Sequence, residues 1–163
     1  MIESKKQLKA HHRFFDYFYW NLFIAVPIFT ACVAIIEHSI MWLIVYIIAC
    51  ISLVALIYRF CCTHCPHYIN GGKTTNCMFF RAVPKFFASR PGPLSLFEKA
   101  VTIMAPIIII LLPFYWLRLQ TELLVIYFLS VVALILTIRR NECCRCIHFH
   151  CPANCVPEDI RCQ

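Results

Sequence analysis

Four long apolar runs, at residues 18–36, 40–58, 101–117 and 123–138, alternate with short polar turns and two longer polar stretches. A bilayer core about 30 Å thick takes roughly 20 apolar residues per helix, so each run is read as a spanning helix. The two shorter runs borrow flanking residues such as Ala100 and Thr121, or lie where the bilayer thins. The pattern predicts an all-α integral membrane protein of four transmembrane helices arranged as two hairpins. Its segments are an amino-terminal interfacial stretch with helices 1 and 2 (1–58), a cysteine-containing loop (59–99), helices 3 and 4 (100–139) and a cysteine-rich tail (140–163).

Local signals refine the boundaries. Pro27 falls inside the first run and should kink it, while Pro106 and Pro113 break up the third. Ser95-Leu96-Phe97-Glu98 has the capping-box form, which starts the third helix near Leu96. Phe14, Phe15, Tyr17, Phe18, Tyr19 and Trp20 form an aromatic anchor at the headgroup level. His11 and His12 beside it read as solvated surface histidines. The alternation of rings and cations in Met78-Phe79-Phe80-Arg81-Ala82-Val83-Pro84-Lys85-Phe86-Phe87 suggests a segment lying on the membrane surface. No small-residue cleavage pattern follows the first run, so it is expected to stay as a spanning helix.

Composition agrees with this reading and excludes an ordinary soluble domain. With 61% hydrophobic and 14% charged residues, the polar groups could not cover a water-facing surface. The net charge of +7 is explained by topology rather than by nucleic acid, because the cations flank the apolar runs. Lys5, Lys6, Lys9 and Arg13 precede the first helix; Arg59, Lys73, Arg81, Lys85, Arg90 and Lys99 lie in the central loop; Arg139, Arg140, Arg145 and Arg161 lie in the tail. The short turns at 37–39 and 118–122 hold only Arg118. By the positive-inside rule both termini and the loop are expected in the cytoplasm of a cell whose plasma membrane the chain crosses.

That orientation places ten of the twelve cysteines in a reducing compartment, where clustered thiols bind metals or do redox work more often than they form disulfides. Cys32 and Cys50 remain in the membrane. They read as small packing residues rather than as a thiol relay for a soft cation. The spanning runs carry no charged side chain well inside them. This disfavours proton-coupled transport, and no histidine is placed to hold a transmembrane haem.

The candidate chemistry therefore lies in two stretches, Cys61-Cys62-Thr63-His64-Cys65-Pro66-His67 and Cys143-Cys144-Arg145-Cys146-Ile147-His148-Phe149-His150-Cys151-Pro152-Ala153-Asn154-Cys155. Each contains C-x2-C, which lets two sulfurs converge on one ion within a tight turn, and Cys77 follows the first. Two adjacent metal sites are expected. Cys61, Cys62, Cys65 and Cys77 would supply one, and Cys143, Cys146, Cys151 and Cys155 the other. His64, His67, His148 and His150 are alternative ligands of the kind that suits zinc, while Cys144 and Cys162 are spare. Each hairpin ends in its own cysteine cluster, so the chain reads as a diverged tandem repeat.

Cys61-x3-Cys65-Pro66, just after a membrane helix, resembles the C-x3-C-P element of membrane-bound quinol-dehydrogenase subunits that carry iron-sulfur clusters. The resemblance covers these residues and the multi-helix layout. The second stretch departs from that family's ferredoxin runs by reading C-x2-C-x4-C-P-x2-C. The four-helix layout also resembles the mercury transporters, although the vicinal cysteines of their first helix are missing here. The leading expectation is a membrane-anchored electron-transfer subunit with an iron-sulfur cluster, of the 4Fe–4S type, working with other membrane redox subunits rather than as a complete enzyme. The alternatives are a soft-metal transport or metal-handling protein for zinc, copper or mercury, and a zinc-stabilised scaffold.

Overall fold

A computed structural model describes residues 8–9, 12, 14–70, 72–77, 79–149 and 151–158. Among these residues, four helical spans are long and apolar enough to cross a membrane. The first hairpin is α1 (Phe14–Ile36) and α2 (Ile40–Phe60), joined by a turn in which the Ser39 side chain caps α2 by accepting from the Met41 amide. A short helix α3 (Pro66–Ile69) and the strands β1 (Thr74–Asn76) and β2 (Arg81–Pro84) follow. The second hairpin is α4 (Leu96–Leu111), the short α5 (Phe114–Leu117) and α6 (Thr121–Asn141).

The expected four-helix architecture is present, with each helix extending past its apolar core. Helix α1 begins at Phe14 rather than Phe18, so the aromatic anchor is its first turns. Pro27 lies inside α1 without ending it. Pro113, which has no amide to donate, separates α4 from α5. The capping box forms as read: Ser95 Oγ accepts from the Glu98 amide and the Glu98 carboxylate accepts from the Ser95 amide.

Helix α1 packs against α6 and α2 against α4, so each helix of the first hairpin pairs with one of the second. Ala31, Ala34 and Ile35 of α1, Tyr46 of α2, Leu117, and Tyr127 and Val131 of α6 form the buried centre. Tyr127 donates its hydroxyl hydrogen to the Ile110 carbonyl, tying α6 to α4. Cys32 and Cys50 pack against this centre, as small packing residues would. Most of the remaining apolar side chains face outward, including Phe29, Ile51 and Leu136. That exposure is what a lipid-facing surface requires and what a water-facing one would not tolerate.

The segment read as lying on the membrane surface has a more definite structure. Arg81–Pro84 is a strand paired antiparallel with Thr74–Asn76. Tyr58, near the end of α2, fixes this hairpin: its hydroxyl donates to the Pro84 carbonyl and lies 3.0 Å from Thr75 Oγ1. Four rings, Tyr68, Phe80, Phe86 and Phe87, surround Tyr58. The hairpin is thereby docked on the end of α2, with Cys77 in its turn, where the Cys77 amide donates to the Phe80 carbonyl at 2.9 Å.

Candidate thiol centre at one end of the helices

The two cysteine stretches have the same backbone form. After α2, Cys61 is followed by a 3-10 turn over Cys62–His64, and Cys65 turns extended at φ −77°, ψ 135°. After α6, Glu142 is followed by a 3-10 turn over Cys143–Arg145, and Cys146 turns extended at φ −82°, ψ 135°. Aligned this way, both read C-x2-C-x-H, with Cys62, Cys65 and His67 in one knuckle and Cys143, Cys146 and His148 in the other. In both knuckles the amide of the histidine donates to the sulfur of the second cysteine: His148 to Cys146 at 3.4 Å, and His67 to Cys65; the Tyr68 amide donates to the Cys65 carbonyl at 2.9 Å. The two knuckles thus share one backbone form and one residue pattern.

The two knuckles come together. Cys61, at the end of α2, and Cys151, in the tail beyond α6, are in thiol-to-thiol contact. Cys77 is close enough to Cys62, Cys65 and Cys146 for its charge to raise their thiols, and Cys151 acts likewise on Cys62, Cys143 and Cys146. Two adjacent sites were expected, and the stretches that would carry them are neighbours at one end of the helices.

Two expected ligands have other roles. Cys155 forms a disulfide with Cys144, their Cα atoms 4.5 Å apart, so its sulfur is not available to an ion. This is also a disulfide where the reducing-compartment argument expected none. His64 engages both ring nitrogens away from the sulfurs, Nδ1 with the Gly92 carbonyl and Nε2 with Glu98 Oε1, each at 3.3 Å. It acts as a clamp between the first knuckle and the start of α4. The Arg90 guanidinium joins the same carboxylate at 3.2 Å, and the Arg90 amide donates to the Thr63 carbonyl. Gly92 has φ 132°, a left-handed conformation that favours glycine and that the Pro91-Gly92-Pro93 turn requires. His150 and Cys162 lie outside the described residues, as does His11.

The second knuckle has its own clamp, which sequence reasoning missed. Glu142 is buried, 6% exposed, and accepts from Trp20 Nε1 and from Lys9 Nζ, each at 2.9 Å. Lys9 also donates its amide to the Arg145 carbonyl at 2.7 Å and pairs with Asp16. His12, expected to be solvated, is instead buried beside Glu142 and packs its ring on His67 at 4.8 Å between centroids. The chain before α1 thus touches both knuckles. One acidic residue preceding Cys143 is the only sequence signal for this, and it names no partner.

Electrostatics follow from crowding thiols in a buried space. Burial raises Cys65 to about 12, and the neighbouring Cys77 and Cys146 add to the rise. Burial likewise raises Cys146, with Cys151 and Cys77 contributing. Cys151 goes the other way and is lowered, because the contact with the Cys61 thiol and then the Ala153 and Asn154 amides favour its thiolate. Several thiolates cannot coexist here without a counter-charge, which a soft cation bound through sulfur would supply. Among the described residues, however, no three His, Cys, Asp or Glu side chains already stand in a set able to hold a metal ion. The sulfurs are neighbours without being closed around a common point. No protein family, characterised protein or solved structure matches the chain, so a function has to be argued from this centre.

Proposed function

We propose that this chain is a membrane-anchored metal-thiolate protein that binds a soft metal at one shared centre on the cytoplasmic face of the plasma membrane. The observation that carries the reading is the pair of matched C-x2-C-x-H knuckles, each with an amide aimed at its second sulfur, brought together from the ends of α2 and α6. Amide-to-sulfur bonds favour the thiolate, the form that ligates. One rotamer step swings a cysteine sulfur by about 3 Å, so side-chain rotation suffices to draw neighbouring sulfurs around an ion. The cations Arg59, Lys73, Arg81, Lys85, Arg90, Lys99, Arg139 and Arg140 lie on the loop or helix ends that carry the centre, which supports the cytoplasmic assignment.

The knuckle thiols with His67 and His148 beside them suit zinc or another soft cation, and metal handling or a metal-stabilised scaffold follows from it. A second reading, electron transfer through an iron-sulfur cluster to other membrane redox subunits, is favoured by the four knuckle thiolates and their amide donors. Anaerobic purification with measurement of iron, acid-labile sulfide and zinc, together with absorption and spin-resonance spectra, separates the two. Stoichiometric zinc in a colourless protein supports the first reading, and iron with sulfide supports the second. Protein that neither retains nor takes up any of these metals refutes both.

A further inference from the structure

The cytoplasmic assignment above puts the Cys144–Cys155 disulfide in a reducing compartment. A disulfide found there is usually transient, serving redox sensing or catalysis rather than acting as a permanent staple. The setting of this one suits opening and closing. Cys144 and Cys155 are only half-buried, and Pro152, Ala153, Pro157 and Glu158 on either side of Cys155 are exposed, which leaves a small thiol room to approach. The two ends are also held near each other by contacts other than the bond. The Cys155 amide donates to the Cys143 carbonyl at 3.3 Å, and the Asn154 side-chain amide donates to the Cys146 and His148 carbonyls at 2.9 and 3.1 Å. Val156 is buried and donates its amide to Asn154 Oδ1 at 3.0 Å. These contacts keep both cysteines within reach once the bond is broken. The Arg139 carbonyl oxygen, 3.6 Å from Cys155 Sγ, is an acceptor for the released thiol.

We propose that Cys144 and Cys155 are a reversible redox pair, opened and re-formed by exchange with a small thiol–disulfide couple of the cytoplasm, which latches the loop carrying the second knuckle. This rests on the cytoplasmic assignment and not on metal binding. In opening, a thiolate of the small thiol attacks Cys144 Sγ, the Cys144–Cys155 bond breaks, and the Cys155 sulfur leaves and takes a proton. A second thiolate attacks the mixed disulfide on Cys144 and releases it as a thiol. Two electrons have then passed to the pair, and the small thiol has become its disulfide. Closing is the reverse, with that disulfide as oxidant. While the bond stands, Cys143, Cys146 and Cys151 are the free thiols of the tail among the described residues, and opening adds Cys144 and Cys155. The latched loop includes Cys146, His148 and Cys151, and its Arg145 carbonyl holds the chain before α1 through the Lys9 amide. The redox state therefore sets how many thiols the tail offers and how firmly its loop is closed.

The test is equilibration of the full-length protein, in detergent under argon, with glutathione mixtures from fully oxidised to fully reduced, followed by acid quenching, alkylation and peptide mass mapping. The peptides of Cys144 and Cys155 should pass from linked to separately alkylated within that range, and back when the mixture is reversed. Cys155→Ser leaves Cys144 without its partner and should carry one glutathione on Cys144. Asn154→Ala loosens the loop and should shift the midpoint toward the thiol form by roughly tenfold in the glutathione ratio, whereas Cys32→Ser should leave it unchanged. A bond that stays closed in reduced glutathione, thiols that stay unlinked in oxidised glutathione, or a Cys155→Ser protein bearing no glutathione would overturn the redox pair and leave the cytoplasmic assignment standing. Opening by a membrane-impermeant phosphine added outside sealed right-side-out vesicles would overturn that assignment, and the proposal with it.

Discussion

The thiol of Cys61, directly after α2, is in contact with the sulfur of Cys151 in the tail beyond α6. That contact makes one centre of two stretches that the sequence keeps far apart. It also lowers the Cys151 thiol, while burial pushes Cys65 up to about 12.

Alkylation should reflect that difference. In reduced, metal-free protein, Cys151 should react with iodoacetamide at lower pH than an ordinary thiol, and Cys65 should stay unreactive until far higher pH. Cys61→Ala removes the contact and should move the Cys151 midpoint upward. The depression also carries a sign for stability. The contribution is fully present above the ordinary thiol range and is lost as pH falls below it. Peptide mass mapping of the alkylated sites checks both points, and a Cys151 midpoint at the ordinary thiol value contradicts them.

The two carboxylate clamps should differ in what their loss costs. Glu142→Ala leaves the buried Trp20 ring nitrogen without its acceptor and Lys9 without its closest partner, a loss of about 3 kcal/mol. Arg90→Ala removes a cation that is 47% exposed from Glu98 and should cost less than about 1 kcal/mol. Thermal unfolding in detergent should therefore show a fall of roughly 10 °C for the first and little for the second. Equal shifts would remove Glu142 from its assigned role.

Much of this architecture could be read from the sequence because the bilayer imposes it. Helix length, the Pro113 break and the Ser95–Glu98 cap each follow from a local rule, and each is present. The C-x2-C pairs could be seen for the same reason, since a knuckle is local. What could not be read is everything set by contact between segments: the Cys144–Cys155 disulfide, the burial of the His12 side chain and the Glu142 clamp. His64 shows why residue type alone misleads. Its chemistry allows metal ligation, but Gly92 and Glu98 occupy both of its nitrogens.

Substitution should separate the centre from the membrane thiols. Cys65→Ser and Cys146→Ser should each lose bound metal, one from each knuckle. Cys32→Ser and Cys50→Ser should retain it, since both residues pack in the helical core. Metal content per chain after gel filtration measures this. Loss of metal or of metal uptake in the Cys32 or Cys50 variants would restore a thiol relay through the membrane.

The central claim, that a soft metal is held here by cysteine sulfur, is tested most directly by X-ray absorption at the edge of whichever metal the purified protein retains. The account predicts a first shell of four sulfur atoms, at about 2.3 Å if the metal is zinc. A first shell of oxygen or nitrogen, or no retained or acquired metal to measure, would contradict it.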